Sequence, residues 1–291
     1  MRRIGLHVLA FTLIVAFGVD AFEAASSAAP SSGSPCARVV QAPHYSHVVW
    51  IVLENVGYQV VGSPQAPYLN RVIASCALAT NDHAVSHPSL PNYLALTAGS
   101  TFGIADDHEP LLHRLSAPTI FSQLKGNWRA YAESMPAPCD TVTSGTYAAR
   151  HNPAVYFINL HAACVRRDVP LGRRMNLSAA FTFIAPNVCD DMHSCPIATG
   201  DAWLARILPE LEASPQYRAH SLAIFITVDE SDSSASNLVP TVVIAPSVPK
   251  GLRVAVAFSH YSLLATTEQL LGLAKLAHAR AARSMLRAFH L

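Results

Sequence analysis

Charged side chains are scarce in this chain: they make up 13% of its 291 residues and sum to a net charge of +1 at neutral pH. That balance excludes the extended basic surface that nucleic-acid binding needs, so any polyanion would have to be recognised locally. None of the six cysteines falls in a Cys-x-x-Cys pair, which argues against a thiolate zinc site. There is no internal repeat, and beyond the first twenty residues no apolar stretch is long enough to span a bilayer. Disorder is excluded too, because 51% of the residues are hydrophobic. The length suits one large domain or two small ones.

The N-terminus carries the first positive signal. Arg2 and Arg3 precede an apolar run from Ile4 to Val19, and both Val19-Asp20-Ala21 and Ser27-Ala28-Ala29 fit a cleavage site. Residues 1–29 therefore read as a secretory signal peptide with its cleavage region. An uncleaved anchor is the alternative, disfavoured because the run is short for a bilayer span of ~20 residues. Residues 30–43 continue as a linker of low complexity. The expectation is a secreted protein with no stable membrane insertion once the signal is removed. Cys36, Cys76, Cys139, Cys164, Cys189 and Cys195 remain after it, an even number that suggests disulfides in an exported chain. Spacing leaves the pairing open, with Cys189–Cys195 and Cys139–Cys164 preferred because each pair brackets a loop-like segment.

Four short apolar runs predict buried strands: HVVWIVL (47–53), FTFIAP (181–186), LAIFITV (222–228) and PTVVIAP (240–246). Their hydrophobicity is continuous rather than alternating, as in parallel strands covered on both faces. Helical patterns lie between them at 67–78, 119–126 and 201–214, and a long one runs over 261–291. Alternation of this kind predicts an α/β fold with a mostly parallel central sheet and helices on both faces. Residues 44–291 are expected to form a single domain. Its Pro-, His- and Gly-rich stretch at 105–180 should be an irregular insertion over one end of the sheet.

Three of the apolar runs end in acidic or amide groups: Glu54-Asn55, Asp190-Asp191 and Asp229-Glu230. Ligands of open α/β sheets bind outside the carboxyl ends of the strands, where parallel strands would gather all three clusters. So many carboxylates would repel one another unless protons or a cation neutralised them. Oxygen donors joined by one or two histidines suit a hard or borderline divalent ion. Taken singly, each acid is also an ordinary cap. In HPSLPNYLALTAGS (87–100), Pro91 fits a first helical turn and Gly99 a stop. Ser89 then stands at the helix N-terminus, as a plain N-cap or as a nucleophile where the dipole and a metal would favour negative charge. Asn92 could donate to a phosphoryl oxygen. His193 follows Asp191 by two residues, His260 heads the C-terminal helix, and His87 and His151 are further candidates.

These residues, with the segments VLEN, PYLN, HNPAVYF, FIAPNVCDDMH, GDAWL, TVDES and SHYSLLATTEQLLG in order, resemble the phosphoesterase family of acid phosphatases and phospholipases C. That family belongs to the alkaline-phosphatase-like superfamily, and the resemblance runs from about residue 46 to the C-terminus. It implies a metal-dependent hydrolase of phosphate esters that passes through a phosphorylated serine or threonine. SLPN looks like the Thr-Phe-Pro-Asn segment of related phosphodiesterases, making Ser89 the nucleophile and Asn92 a transition-state donor; the resemblance leaves His87, a catalytic candidate from its place beside Ser89, undecided, and His260 is a further catalytic candidate. Glu54, Asn55, Asp229 and Glu230 look like ligands of a divalent ion (Mg, Mn, Zn, Fe or Ca). Asp191, with Asp190 as alternative, together with His193 and His260 looks like a second cluster, for another ion or for leaving-group protonation. Many relatives read Asn-His shortly after the Asp-Glu pair, whereas this chain has Leu238 in the histidine's place. The expected substrate is a small phosphate ester, with phospholipid headgroups as the alternative and a non-catalytic binding protein as the contrasting class.

Overall fold

A computed structural model describes residue 1 and residues 34–41, 43–232 and 236–291. The expected signal peptide beyond Met1, and the expected linker up to Gly33, lie outside the described residues. Among the described residues nine strands form one sheet: β1 (His47–Leu53), β2 (Ala77–His83), β3 (Trp128–Ala132), β4 (Asp168–Pro170), β5 (Phe181–Ala185), β6 (Leu222–Val228), β7 (Leu238–Ile244), β8 (Leu252–Val254) and β9 (Phe258–Ser259). Their order is β4-β3-β5-β1-β6-β7-β2-β8, with β9 paired to β2. The helices are α1 (Pro67–Ser75), α2 (Ser89–Ala98), α3 (Ile120–Gln123), α4 (His161–Arg167), α5 (Ile197–Glu212), α6 (Pro215–Arg218), α7 (His260–Leu270) and α8 (Leu286–Phe289).

The continuous apolar runs behave as their pattern requires. Every residue of β1 from Val48 to Leu53 is at most 1% exposed, and all of β6 is buried, so both faces of these central strands are covered. Trp50 carries the contact to one side, its indole N–H donating to Thr267 of α7 at 3.0 Å. Helices α1 and α5 pack against each other, as do α2 and α7. The mixed α/β fold with a mostly parallel sheet is the expected one. It sets β5, β1 and β6 side by side and parallel, so the three acid-tipped ends share one edge.

Five local expectations are corrected. Strand β7 is antiparallel to both β6 and β2, because only residues 229–237 link it to β6 and a parallel crossover needs a dozen or more. The first helix stops at Ser75, and Ala77 to Ala79 pass into the sheet as fully buried residues. The long C-terminal helix is cut short at Leu270, with Gly272 just beyond it in the left-handed region at φ +65°. The 105–180 stretch is more than an irregular cover. Its β3 and β4 extend the sheet beyond β5, and Ala132, Met135, Tyr147 and Ala149 form a small apolar cluster of their own. Residues 34–39 belong to the fold rather than to a linker. Cys36 is joined to Cys76, Ala37 N–H donates to Val248 O at 2.8 Å, and the Tyr217 hydroxyl donates to Pro35 O at 2.6 Å. Cys139–Cys164 and Cys189–Cys195 are bridged as preferred.

Candidate active site

Each acid-tipped strand turns at its end in a way that aims its last groups inward. Asn55, just past β1, has φ +49°, a conformation that asparagine tolerates better than most residues. Its backbone N–H donates to Asp229 Oδ1 at 3.0 Å, tying the end of β1 to that of β6. Glu54 N–H donates to the Asp191 carbonyl at 2.8 Å, which ties in the loop after β5. The Cys189–Cys195 disulfide closes that loop around Asp191 and His193. Gly200 on α5 lets the helix lie against it, since a Cβ there would meet Asp190 O at 2.7 Å and Met192 Cγ at 2.5 Å. Strand β2 runs parallel to β1 within the sheet order, so the segment after it delivers Ser89 to the same edge.

Ser89 is the first residue of α2 and only 2% exposed. Its hydroxyl proton is shared between Glu54 Oε2 at 3.0 Å and Glu230 Oε1 at 3.1 Å. Glu230 Oε2 pairs in turn with His87 Nδ1, and the His87 side chain is 40% exposed at the rim. On the other side His151, 2% exposed, lies with Nε2 3.1 Å from Glu54 Oε1 and Nδ1 3.1 Å from Asp191 Oδ2. Its ring is stacked on Tyr93, centroids 5.3 Å apart and 6° from parallel. Neither short contact is aligned as a hydrogen bond. Both His151 nitrogens, Glu54 Oε1, Asp191 Oδ2 and Asp229 Oδ2 are buried without a hydrogen-bond partner among the described residues.

The electrostatics follow from burial and crowding. Burial first, then the Asp191 charge, holds Glu54 well above the usual carboxylate range. Burial, Glu54 and Glu230 do the same to Asp229. Asp191 is pushed up to about 8, chiefly by burial, with Asp229 adding to it. Burial pushes His151 well below the usual imidazole range, with Arg150 adding to the effect. Buried oxygen and imidazole donors left unpaired are costly unless protons or a cation sit among them. The orphaned atoms of Glu54, Asp229, Asp191 and His151 have the oxygen and imidazole chemistry that divalent ions take, with His151 turning one nitrogen to Glu54 and the other to Asp191, so that the two carboxylates would not share an ion through that ring.

The structure brings Glu54, Ser89, Glu230, Asp229, Asp191 and His87 together and sets other expected residues apart. Ser89 does not cap its helix; Pro88 holds the N-cap position, with no capping side chain. Asn92 is fully occupied. Its Oδ1 accepts from Val85 and Ser86 N–H at 3.0 Å, and its Nδ2 donates to Ser86 O and Pro88 O, so it braces residues 85–88. The His193 backbone N–H donates to Asp191 Oδ1 at 2.8 Å, and its ring lies 6.1 Å from that of His151 with Nδ1 turned to Ser194 Oγ at 3.0 Å, so it borders the cluster without bonding a carboxylate through its ring. His260 is fully buried, with burial lowering it to about 4, and its Nε2 bonds the Asp229 carbonyl. Asp190 turns away to Asn187, whose Nδ2 donates to it at 3.2 Å. Leu238 opens β7 opposite His83, whose ring nitrogens lie against Ser236 O and Asn81 Oδ1.

Two contributors, Arg150 and Asp107, were not legible as site residues, and a third, His151, was a candidate without a partner. His151 was one histidine among several, and only the fold seats it between two carboxylates. Arg150 beside it is the cation whose charge opposes the upward shifts of Glu54 and Asp191. Asp107 accepts from Leu90 N–H at 2.9 Å and lies 3.7 Å from Arg150 Nε. It therefore occupies an amide at the N-terminus of α2 that the sequence left free for an anion, and Pro91 has none to offer. The adjacent Arg150-His151 pair before Asn152-Pro153 was the available signal, but nothing in it specifies a partner.

The Phosphoesterase family profile matches residues 53–274. A phosphatidylinositol-3-phosphatase of Mycobacterium tuberculosis is 36% identical over 245 residues, covering 81% of this chain and 80% of that protein. A phosphate-repressible acid phosphatase of Penicillium chrysogenum is 28% identical, covering 80% of this chain, and the chain spans 60% of that protein's length. Among solved structures, a protein in the alkaline phosphatase superfamily from Vibrio parahaemolyticus shares the fold. Its TM-score is 0.58 at 11% identity, over 87% of this chain and 74% of that one. The serine held by carboxylates at the sheet edge lies within the matched span, and this chain belongs to the Phosphoesterase family, hydrolases of phosphate esters.

Proposed function

We propose that this chain is an exported, metal-assisted phosphomonoesterase that works through a phosphoserine on Ser89. The observation that carries this reading is the Ser89 hydroxyl buried between Glu54 and Glu230. A serine is a weak nucleophile until a base takes its proton, and both carboxylates lie within hydrogen-bond reach of the Ser89 hydroxyl. Glu54, Asp229, Asp191 and His151 would supply the ligands for divalent metal, Glu54 and Asp191 on opposite nitrogens of His151, with Asn55, Glu230 and His193 at the margin. When bound, such an ion polarises the phosphoryl oxygens and favours the serine alkoxide.

The chain's own groups supply the rest. Ser89 Oγ attacks phosphorus in line while its proton passes to Glu54 or Glu230. Arg150, the cation beside the carboxylates, orients the phosphoryl oxygens. His87, exposed at the rim against Glu230, holds a proton and gives it to the leaving oxygen. Water then attacks the phosphoserine and the same groups run in reverse. Asn92 supports this machinery by fixing the segment that carries His87 and Ser89, and His260 by fixing the Asp229 backbone.

Monoesters are favoured because the relatives are named as a phosphatidylinositol-3-phosphatase and acid phosphatases. Export is supported by the disulfides, which persist in oxidising compartments. No helix among the described residues is long and apolar enough to cross a membrane. The test is rapid acid quenching during p-nitrophenyl phosphate turnover, followed by mass spectrometry of the peptide that contains Ser89. A phosphorylated peptide in the native protein, lost with turnover in Ser89→Ala, is expected. Full turnover by Ser89→Ala would overturn the reading.

A further inference from the structure

Six tyrosines are buried among the described residues: Tyr45, Tyr93, Tyr131, Tyr147, Tyr156 and Tyr217. All but one pair their hydroxyls. Tyr45 bonds Ser247 Oγ, and Tyr131, Tyr147, Tyr156 and Tyr217 donate to the carbonyls of Asn176, Asp140, His108 and Pro35. Tyr93 is the exception: it is 0% exposed, and its Oη has no hydrogen-bond partner among the described residues. A buried phenol usually finds a partner, because leaving it unpaired destabilises the fold. Phenylalanine would fill the same space without that cost, so the hydroxyl calls for a reason beyond packing.

Its surroundings supply one. Tyr93 stands four residues after Ser89 on α2, so the two side chains leave the same face of the helix one turn apart. Its ring lies edge-on to Phe183 of β5, centroids 6.2 Å apart, and parallel to His151. Burial first, then the charges of Glu54, Asp229 and Asp191, holds its proton well above the usual phenol range. Those charges mark where the hydroxyl points, which is into the carboxylate cluster.

Glu54 is the member of that cluster that lacks an anchor. Asp229 Oδ1 is held by the Asn55 N–H, and Asp191 Oδ1 by the His193 N–H. The Glu54 carboxylate accepts no backbone N–H among the described residues; Ser89 Oγ donates to its Oε2, and its Oε1 has no hydrogen-bond partner. Ser89 is the group whose proton must leave, so its bond to Glu54 is given up just when the carboxylate has to stay in place. A buried donor without an acceptor thus stands beside a buried acceptor without a donor.

We propose that Tyr93 is a positioning residue for phosphoryl transfer: its hydroxyl donates to Glu54 and steadies that carboxylate as Ser89 turns to phosphorus, while its ring sets the plane of His151. This rests on the reading of Ser89 as the nucleophile. The full mature chain is compared with Tyr93→Phe, which keeps the ring, and Tyr93→Leu, which keeps neither ring nor hydroxyl. The measurements are p-nitrophenyl phosphate kinetics and thermal unfolding, the latter with and without EDTA. Tyr93→Phe should lose about 10–100-fold in kcat with KM unchanged, as when a group that orients a site residue is removed. It should nevertheless melt as high as the native chain or about 2–6 °C higher, with and without EDTA, because an unpaired buried hydroxyl has gone. Tyr93→Leu should lose kcat at least as far and melt lower, since it leaves a cavity against His151 and Phe183. Native kcat in Tyr93→Phe overturns the proposal, and so does a melting temperature that drops together with kcat, the mark of an ordinary core tyrosine. Failure of the phosphoserine reading shows separately, as full turnover by Ser89→Ala.

Discussion

Asp168 ties the 105–180 stretch to the site, and removing its charge gives a prediction with a definite sign. It begins β4, is fully buried, and accepts from Asn152 Nδ2 at 2.8 Å on one oxygen. The other oxygen has no hydrogen-bond partner among the described residues. Asn152 directly follows His151, so this bond helps seat the histidine. Burial raises Asp168 from 3.8 to about 7. A carboxyl raised on folding binds its proton more tightly in the folded state. Its contribution is therefore greatest below pH 3.8 and is lost as pH rises through the window from 3.8 to about 7. At 1.36 kcal/mol per unit, a rise of about three units corresponds to roughly 4 kcal/mol. Asp168→Asn keeps the shape and an oxygen acceptor for Asn152 but cannot ionise. Measured by urea unfolding, the variant should gain roughly 4 kcal/mol relative to the native chain between pH 4 and pH 8. Other titrating groups cancel in that difference. The same stability difference at both pH values would refute the assignment of a buried, proton-holding carboxyl.

The two outer disulfides should separate stability from activity. Cys36–Cys76 spans 40 residues and Cys189–Cys195 only 6, so opening the first should cost about 4 kcal/mol and the second about 2. Turnover should suffer in the opposite order, because the small loop carries Asp191; equal loss in both variants would count against that role. Asn92→Ala should lower the melting temperature as well as kcat, since each buried backbone group it leaves unpaired costs about 1–3 kcal/mol. A pure kcat defect would instead make Asn92 a transition-state donor. Dialysis against EDTA should abolish turnover and lower the melting temperature by about 5–10 °C, with a divalent ion restoring both. An unchanged melting curve with full turnover would exclude the ion.

Much of this protein is settled locally. Runs such as Val48–Leu53 and Leu222–Val228 are apolar on both faces and have nowhere to go but the middle of a covered sheet. The acids at their ends were legible because a parallel strand always delivers its C-terminal residues to one edge, and the ordered family motifs named the same positions. Other features depend on groups far apart in sequence. The direction of β7, the short strands β3 and β4, and the disulfide that draws residues 34–39 into the fold follow from connection lengths and tertiary pairing, which leave weak local patterns. The division of labour around Ser89 belongs with these. Whether Asn92 faces phosphate or the backbone of residues 85–88, and which histidine lies between Glu54 and Asp191, is a matter of side-chain direction in a crowded, desolvated space. Residue type alone determines what chemistry a side chain can do; only packing determines which neighbour receives it.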